Sequence, residues 1–384
     1  MAKNILLVML EFDNWEQGRS WSYTGSYAFK DGFESNGHHC TLLPAIHGRH
    51  PDAEDSFIHH APALLAGQTF DEAWVWCNHA SFNERFWNWL KTVAPVRVGV
   101  ILESLNHTEL ELKALPFLEK RKLEAYESLR HCTHAMAIDE VDVEEINAHF
   151  GISTVQNLFM TPERFVRDEP PPNRDVASFI GAAYFTGPAY SFPLAAELPR
   201  NKYLADPRLE GLMCRPHFQL PERSSDTLPR FEQINREMRQ RLLAGNLDQA
   251  TFHAFVEEIP RLREDIFRML LDGFRLGMAS VSLPTFAKSY SGRVVEAMAA
   301  SVPSVSWLPP DRPACSKLFE DDREIVLFSS IEELAEKLIQ LRENPSWRAE
   351  LVTNARNCVL TRHTSQIRCR QYADWIDQDI APSF

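Results

Sequence analysis

With 384 residues the chain is too long for one ordinary domain and comfortable for two of roughly 150–200 residues each. Hydrophobic residues make up 44%, which excludes a disordered chain. Lys and Arg total 40 against 53 Asp and Glu, and the formal charge of −13 disfavours a nucleic-acid-coating role, which needs a basic footprint.

The first apolar run, Ile5–Leu10, is too short for a signal-peptide core. No stretch approaches the roughly 20 apolar residues of a membrane span, so a cytoplasmic protein without a membrane span is expected. The seven cysteines are odd in number and form no C-x-x-C pair. They read as reduced thiols, not as a disulfide framework or a zinc site.

In chain order, Ile5–Leu10 predicts a buried strand, followed by a polar loop from Glu11 to Gly25 and a helix over 26–36 that Gly37 ends. Cys40–Leu43, Ala73–Cys77, Val96–Leu102, Ala135–Ile138 and Val155–Leu158 are further short apolar runs. Glu109–Leu129 and Val141–Phe150 are helical between them. Strands separated by helices predict a parallel sheet covered on both faces. The prolines of Asp168-Glu-Pro-Pro-Pro-Asn173 mark a linker. Val176–Gly181 opens a second unit, 199–229 reads as loops and short strands, and 231–277 is mainly helical. Met278–Leu283, Val302–Trp307 and Ile325–Phe328 are strands, and Ser291–Ala300 is a helix. Ser330 and Glu333 form a capping box, Ser346 is placed to cap the next helix, and a last helix covers 364–379.

In open parallel sheets ligands bind beyond the carboxyl ends of the strands, where helix amino termini present free N–H groups. Lys288-Ser-Tyr-Ser-Gly-Arg-Val-Val-Glu-Ala-Met298 occupies such a place. Ser289 and Ser291 are candidate caps, and Gly292 lets a ligand approach the backbone. Arg293 falls in the first turn, where the helix dipole disfavours a cation unless an anion lies nearby. The Glu296 carboxylate, about one turn in, can accept two hydroxyl hydrogen bonds, as a ribose diol offers.

From Ser282 onward the chain resembles the group-1 family of glycosyl transferases, including the branch related to spore maturation proteins. Ser291-Gly-Arg-Val-Val-Glu-Ala-Met-Ala-Ala-Ser-Val-Pro-Ser-Val305, Lys317-Leu-Phe-Glu-Asp-Asp-Arg-Glu-Ile325, Asn344-Pro-Ser-Trp-Arg348 and Arg362-His-Thr364 carry the resemblance. Asp139–Phe165 and Val176–Gly181 add to it. It implies an α/β protein of GT-B fold, with two Rossmann-like domains whose parallel sheets face a central cleft. The acceptor-binding domain would span 1–170 and be joined by a final helix over 364–384, with a sugar-nucleotide-binding domain over 175–363. A nucleoside-diphosphate sugar would be the donor, no metal or other cofactor would be required, and a glycan or small molecule would be the acceptor. Glu296 matches the family glutamate that contacts the donor ribose, and Ser291, Gly292 and Arg293 fall where the diphosphate is met. Tyr290, Lys288 and Gly181 complete the expected donor side.

The chain departs from the family pattern in three places. Many retaining relatives carry Glu-x7-Glu, and here Lys288 stands eight residues before Glu296. Ser301 replaces a commoner glycine. The usual arginine after the opening strand is not evident in Gly181–Gly187, which leaves Arg200, Lys202 or Arg215 as substitutes. On the acceptor side, Glu11, Asp13, Asn78, His79, Glu103 and Ser104 lie at predicted strand ends. Among them Glu103, His79, Glu11 and Asp13 are the candidates to deprotonate or orient an acceptor hydroxyl. The loop 13–25, with Trp15, Trp21 and Tyr23, is a candidate surface for a sugar. His38-His39 and His59-His60 are adjacent pairs that cannot share one metal on a regular element, so no metal site is expected. Two other readings keep the fold: sugar-nucleotide epimerisation or hydrolysis, and a non-catalytic nucleotide-sugar-binding protein.

Overall fold

A computed structural model describes residues 2–12, 23–78, 80–181, 183–184, 192–214 and 224–383. Strands β1 (Asn4–Glu11), β2 (His39–Ile46), β3 (Glu72–Trp76), β4 (Val96–Ile101), β5 (His134–Ala137) and β6 (Ser153–Gln156) form a parallel sheet in the order β2-β1-β3-β4-β5-β6. Strands β7 (Ala177–Ser178), β8 (Met213–Cys214), β9 (Ser280–Ser282), β10 (Ser304–Trp307) and β11 (Val326–Phe328) form a second in the order β11-β10-β9-β7-β8. Each predicted apolar run overlaps one of these strands. Helices cover both faces of such sheets, so strand interiors are apolar without alternation. Ile5 to Met9 are all buried in β1. Both orders reverse direction once, between β1 and β3 and between β7 and β9, and these reversals are where an open α/β sheet binds ligands.

Several local expectations change. The predicted helix 109–129 is two helices, Glu109–Ala114 and Phe117–Leu129. Pro116 breaks it: the proline ring excludes helical geometry from the preceding residue, and Leu115 sits at φ −136°, ψ 75°. The segment read as loops and short strands contains the helix Pro199–Ala205 as well as β8. Asn344, not Ser346, caps the helix Pro345–Cys358, accepting from Trp347 N at 3.0 Å. Ser330 does cap the helix Ile331–Glu343, but the Glu333 carboxylate reaches back to Ser329 N at 2.8 Å and so closes the box one residue early.

Two carboxy-terminal elements pack on the first sheet. The helical hairpin Ser224–Leu243 and Gln249–Phe274 shares its core, with Phe252 and Phe255 set 5.7 and 5.3 Å from the Phe57 ring. The final helix Ser365–Gln378 lies along the helix Tyr27–Ser35, placing Cys369, Tyr372 and Trp375 in that core. Contact is closest at Gly32, where an added Cβ would lie 2.4 Å from both Ser365 O and Cys369 Sγ. Backbone cannot retreat as a flexible side chain does. Gly32→Ala should therefore cost about 1–3 kcal/mol in urea unfolding, the usual penalty of overpacking. A midpoint equal to wild type would contradict this packing.

Candidate functional site

The second sheet delivers its chemistry through the loop after β9 and the helix Gly292–Ala299. Every residue of that helix except Arg293 is buried, so its start is fixed rigidly. Ser291 holds the N-cap position, yet its hydroxyl pairs with Ser282 Oγ at 2.7 Å, and no described side chain caps the helix. Ser289 instead lies 3.4 Å from Cys315 Sγ. Neither serine is the expected cap. The structure also changes the account of Arg293: its counter-charge is Glu296, 2.5 Å away and one turn on. Glu296 is 0% exposed. One of its oxygens accepts from Arg293 Nη1 and the other from the Thr24 hydroxyl at 2.7 Å.

Thr24 belongs to the first unit, so the Glu296 carboxylate lies on the boundary between the units. A Cβ at Gly292 would sit 2.8 Å from the Thr24 hydroxyl and 3.3 Å from the Phe159 ring, so glycine is what permits this approach. Further polar contacts continue the seam. Lys288 adopts φ +48°, a left-handed conformation that side-chain-bearing residues rarely take. Its ammonium reaches Glu111 at 3.0 Å and also the Asn106 carbonyl. The Asp139 carboxylate, fully buried at the end of β5, takes both Arg312 Nε at 2.5 Å and Nη2 at 3.0 Å. Glu140 accepts from Ala314 N at 3.1 Å and Cys315 N at 2.9 Å. Ser104 N donates to Phe286 O at 2.9 Å.

Tyr290 is buried beside the helix start, with Phe319 edge-on at 5.2 Å. Burial pushes its phenol well above the ordinary range, and its hydroxyl has no partner among the described residues. Phe159, Tyr290, Ser291, Phe319 and His363 are among the residues around a cavity of about 10 Å3, room for a single water. Burial, reinforced by Arg368 and Arg362, drives the His363 imidazole well below its usual range, so it is neutral. Gly181 lies just past β7, on the same carboxyl edge of the second sheet. Arg200 reaches that edge as well. It donates to Pro284 O at 2.8 Å, and its guanidinium lies 4.0 Å over the Tyr184 ring, which stacks on Phe286 at 4.2 Å. Lys202 pairs on the surface with Glu197, and Arg215 lies outside the described residues.

On the first sheet, Glu103 follows β4, is buried, and binds Arg121 at 2.7 Å. Glu11 ends β1 with a different role from the one expected. It accepts from Phe12 N at 2.6 Å, from Tyr27 Oη, and from Arg263 at both oxygens, including Nε at 3.1 Å. Those bonds occupy all of its acceptor sites, which leaves no lone pair for an acceptor hydroxyl. It anchors the helical hairpin to the sheet. Asp13 and His79 lie outside the described residues. Sequence reasoning missed Thr24, Glu111, Asp139, Glu140 and Arg312. Of these Asp139, as the N-cap of the helix Glu140–Phe150, and Glu111, as the capping-box partner of Thr108, carried a local signal.

Residues 231–374 match the family model described as glycosyl transferase-like, a span that contains the whole of the Gly292–Ala299 helix and its flanking loops. A search of curated protein sequences returns no relative. Among solved structures the chain is similar to a sucrose-phosphate synthase from Thermosynechococcus elongatus, with a TM-score of 0.54 at 11% identity over 99% of this chain and 100% of that one. It is similar to a glycosyltransferase from Rickettsia africae, with a TM-score of 0.51 at 10% identity over 99% and 98%. A third likeness is to Anabaena HepE solved with UDP and glucose, with a TM-score of 0.50 at 10% identity over 97% and 99%. At these identities the likeness is one of fold, and that fold is GT-B. No helix among the described residues is long and apolar enough to cross a membrane.

The Glu11–Arg263 pair is 1% and 3% exposed. Removing one partner of a buried pair strands a charge, whereas replacing both with apolar groups does not. Arg263→Met should cost about 3–5 kcal/mol in urea unfolding, and adding Glu11→Met should restore most of that loss. A single variant within about 0.5 kcal/mol of wild type would show that the pair is not structural.

Proposed function

We propose that this chain, a glycosyltransferase of GT-B fold with a glycosyl transferase-like carboxy-terminal unit, moves a sugar from a nucleoside-diphosphate sugar to an acceptor hydroxyl in the cleft between its two units. The observation that carries the reading is Glu296. A carboxylate fixed one turn into an uncapped helix, at the carboxyl edge of β9, already accepts a hydroxyl hydrogen bond, from Thr24. A ribose hydroxyl would take the place of that hydroxyl. The diphosphate would meet the open N–H groups of the helix start together with Lys288 and Arg293, which supply the charge a metal supplies elsewhere, so the transfer needs none. HepE, a structure of the same fold, was solved with UDP and glucose, which supports the choice of donor class.

The donor is assigned to 175–363, with Ser291, Gly292, Tyr290 and Gly181 beside the charged groups. The acceptor, a glycan or small molecule, is assigned to 1–170 and the helix 364–384. Glu103, buried after β4, is the carboxylate we assign to orient or deprotonate its hydroxyl. Seven unpaired cysteines accord with a cytoplasmic protein.

A thermal-shift panel of nucleoside diphosphates and sugar nucleotides, run in EDTA, tests the reading, because a ligand of the native state raises apparent stability. At least one member should stabilise the protein. Against that member, Glu296→Gln should lower affinity by about 1–3 kcal/mol through weakened charged hydrogen bonds. A panel without any shift, or an unchanged affinity in the variant, would contradict the reading, and donor turnover that ignores every acceptor would point away from transfer.

A further inference from the structure

Asn78 follows β3, at the reversal of strand order in the first sheet, and is 3% exposed. Its Oδ1 accepts from Leu102 N, just past β4, at 2.7 Å. A backbone N–H only donates, so this bond fixes which branch of the amide is oxygen. Nδ2 is therefore the other branch, and it has no hydrogen-bond partner among the described residues. A buried amide donor left unpaired costs free energy that folding alone does not recover. Its neighbours are well paired: Cys77 N bonds Val100 O at 3.0 Å, and Trp76 Nε1 bonds Gly25 O at 2.7 Å.

Leu102, whose N–H Asn78 holds, belongs to a packed group that reaches the Gly292–Ala299 helix. A Cβ at Gly25 would be 3.5 Å from both Leu102 and Phe159, and a Cβ at Gly292 would be 3.3 Å from the same Phe159 ring. Leu102, Gly25, Phe159 and Gly292 thus lie next to one another, and Asn78, through its bond to Leu102 N, stands at the first-sheet end of that group. We propose that Asn78 is a substrate-binding residue whose Nδ2 donates a hydrogen bond to a sugar oxygen held in the cleft, an inference that rests on the transferase reading above. That oxygen belongs either to the glycosyl group being transferred or to the acceptor.

Asn78→Asp keeps an oxygen for Leu102 N and puts a carboxylate oxygen in place of the donor. Asn78→Ala is the second variant, should the added charge disturb folding, and thermal melting reports the integrity of both. The probes are the sugar nucleotide that stabilises the wild type most, its parent nucleoside diphosphate, and a panel of methyl glycosides as acceptors. Loss of this one bond should lower kcat/KM about tenfold while leaving affinity for the nucleoside diphosphate unchanged. If the partner is the transferred glycosyl group, Kd for the sugar nucleotide rises by that factor. If it is the acceptor, KM for the glycoside rises and both nucleotide affinities hold. Wild-type kinetics in a folded variant would show that a buried water satisfies Nδ2 and would overturn the proposal. Equal losses for the nucleotide with and without its sugar would overturn it too, by exposing a structural role. A wild type that binds no sugar nucleotide would instead defeat the transferase reading itself.

Discussion

Carboxylates of the first unit close on cations and N–H groups of the second, and the candidate site exists only because they do. Each sheet presents the carboxyl ends of its strands, where ligands bind in this architecture. Neither edge makes a cleft until the other faces it. Asp139 on Arg312 and Glu140 on two backbone N–H groups supply that constraint with charge-assisted bonds, the Asp139 carboxylate being fully buried. Lys288 on Glu111 repeats the pattern at the loop that leads into the donor helix. In these three contacts the acid comes from the first unit and its partner from the second, whereas at Glu296 the acid belongs to the second unit and Thr24 of the first donates to it.

The same seam explains why Glu296 is neither exposed nor idle. A carboxylate cannot stay buried without partners, and here it has Arg293 on its own helix and Thr24 from across the boundary. Thr24 offers the group that a sugar or ribose would offer. The ligand-free contact thus resembles the proposed liganded one, with a protein hydroxyl in the ligand's place. Glu11 shows the contrasting use of a strand-end carboxylate. Its partners come from two helices and the neighbouring backbone, they fill its acceptor sites, and the result is an anchor for the helical hairpin.

Much of the fold was legible because burial on both faces leaves a simple signature. Runs such as Ile5–Leu10 and Val96–Leu102 need no periodicity to be read as central strands. Local stereochemistry was readable where one residue decides, as with Ser330 capping its helix, and misread where two compete, as with Asn344 and Ser346. Pro116 held a plain signal that the strong helical pattern on either side obscured. The Gly292–Ala299 helix was legible through its sequence, down to Glu296 and Arg293. Their partners were only half legible: Arg293 meets Glu296 at helical spacing, whereas Thr24 and Glu296 are 272 residues apart and share no pattern. Contacts between units obey no spacing rule, so the pairings of Glu111, Asp139, Glu140 and Arg312 emerge only when both sheets are in place.

The central claim is that the Gly292–Ala299 helix and Glu296 form the nucleotide seat of a cleft closed by the first unit. A crystal structure with the best-binding nucleoside diphosphate tests it most directly. The account predicts the diphosphate against the start of that helix and a ribose hydroxyl on the Glu296 carboxylate in place of Thr24. A nucleotide bound elsewhere, with the Thr24–Glu296 bond intact, would contradict it.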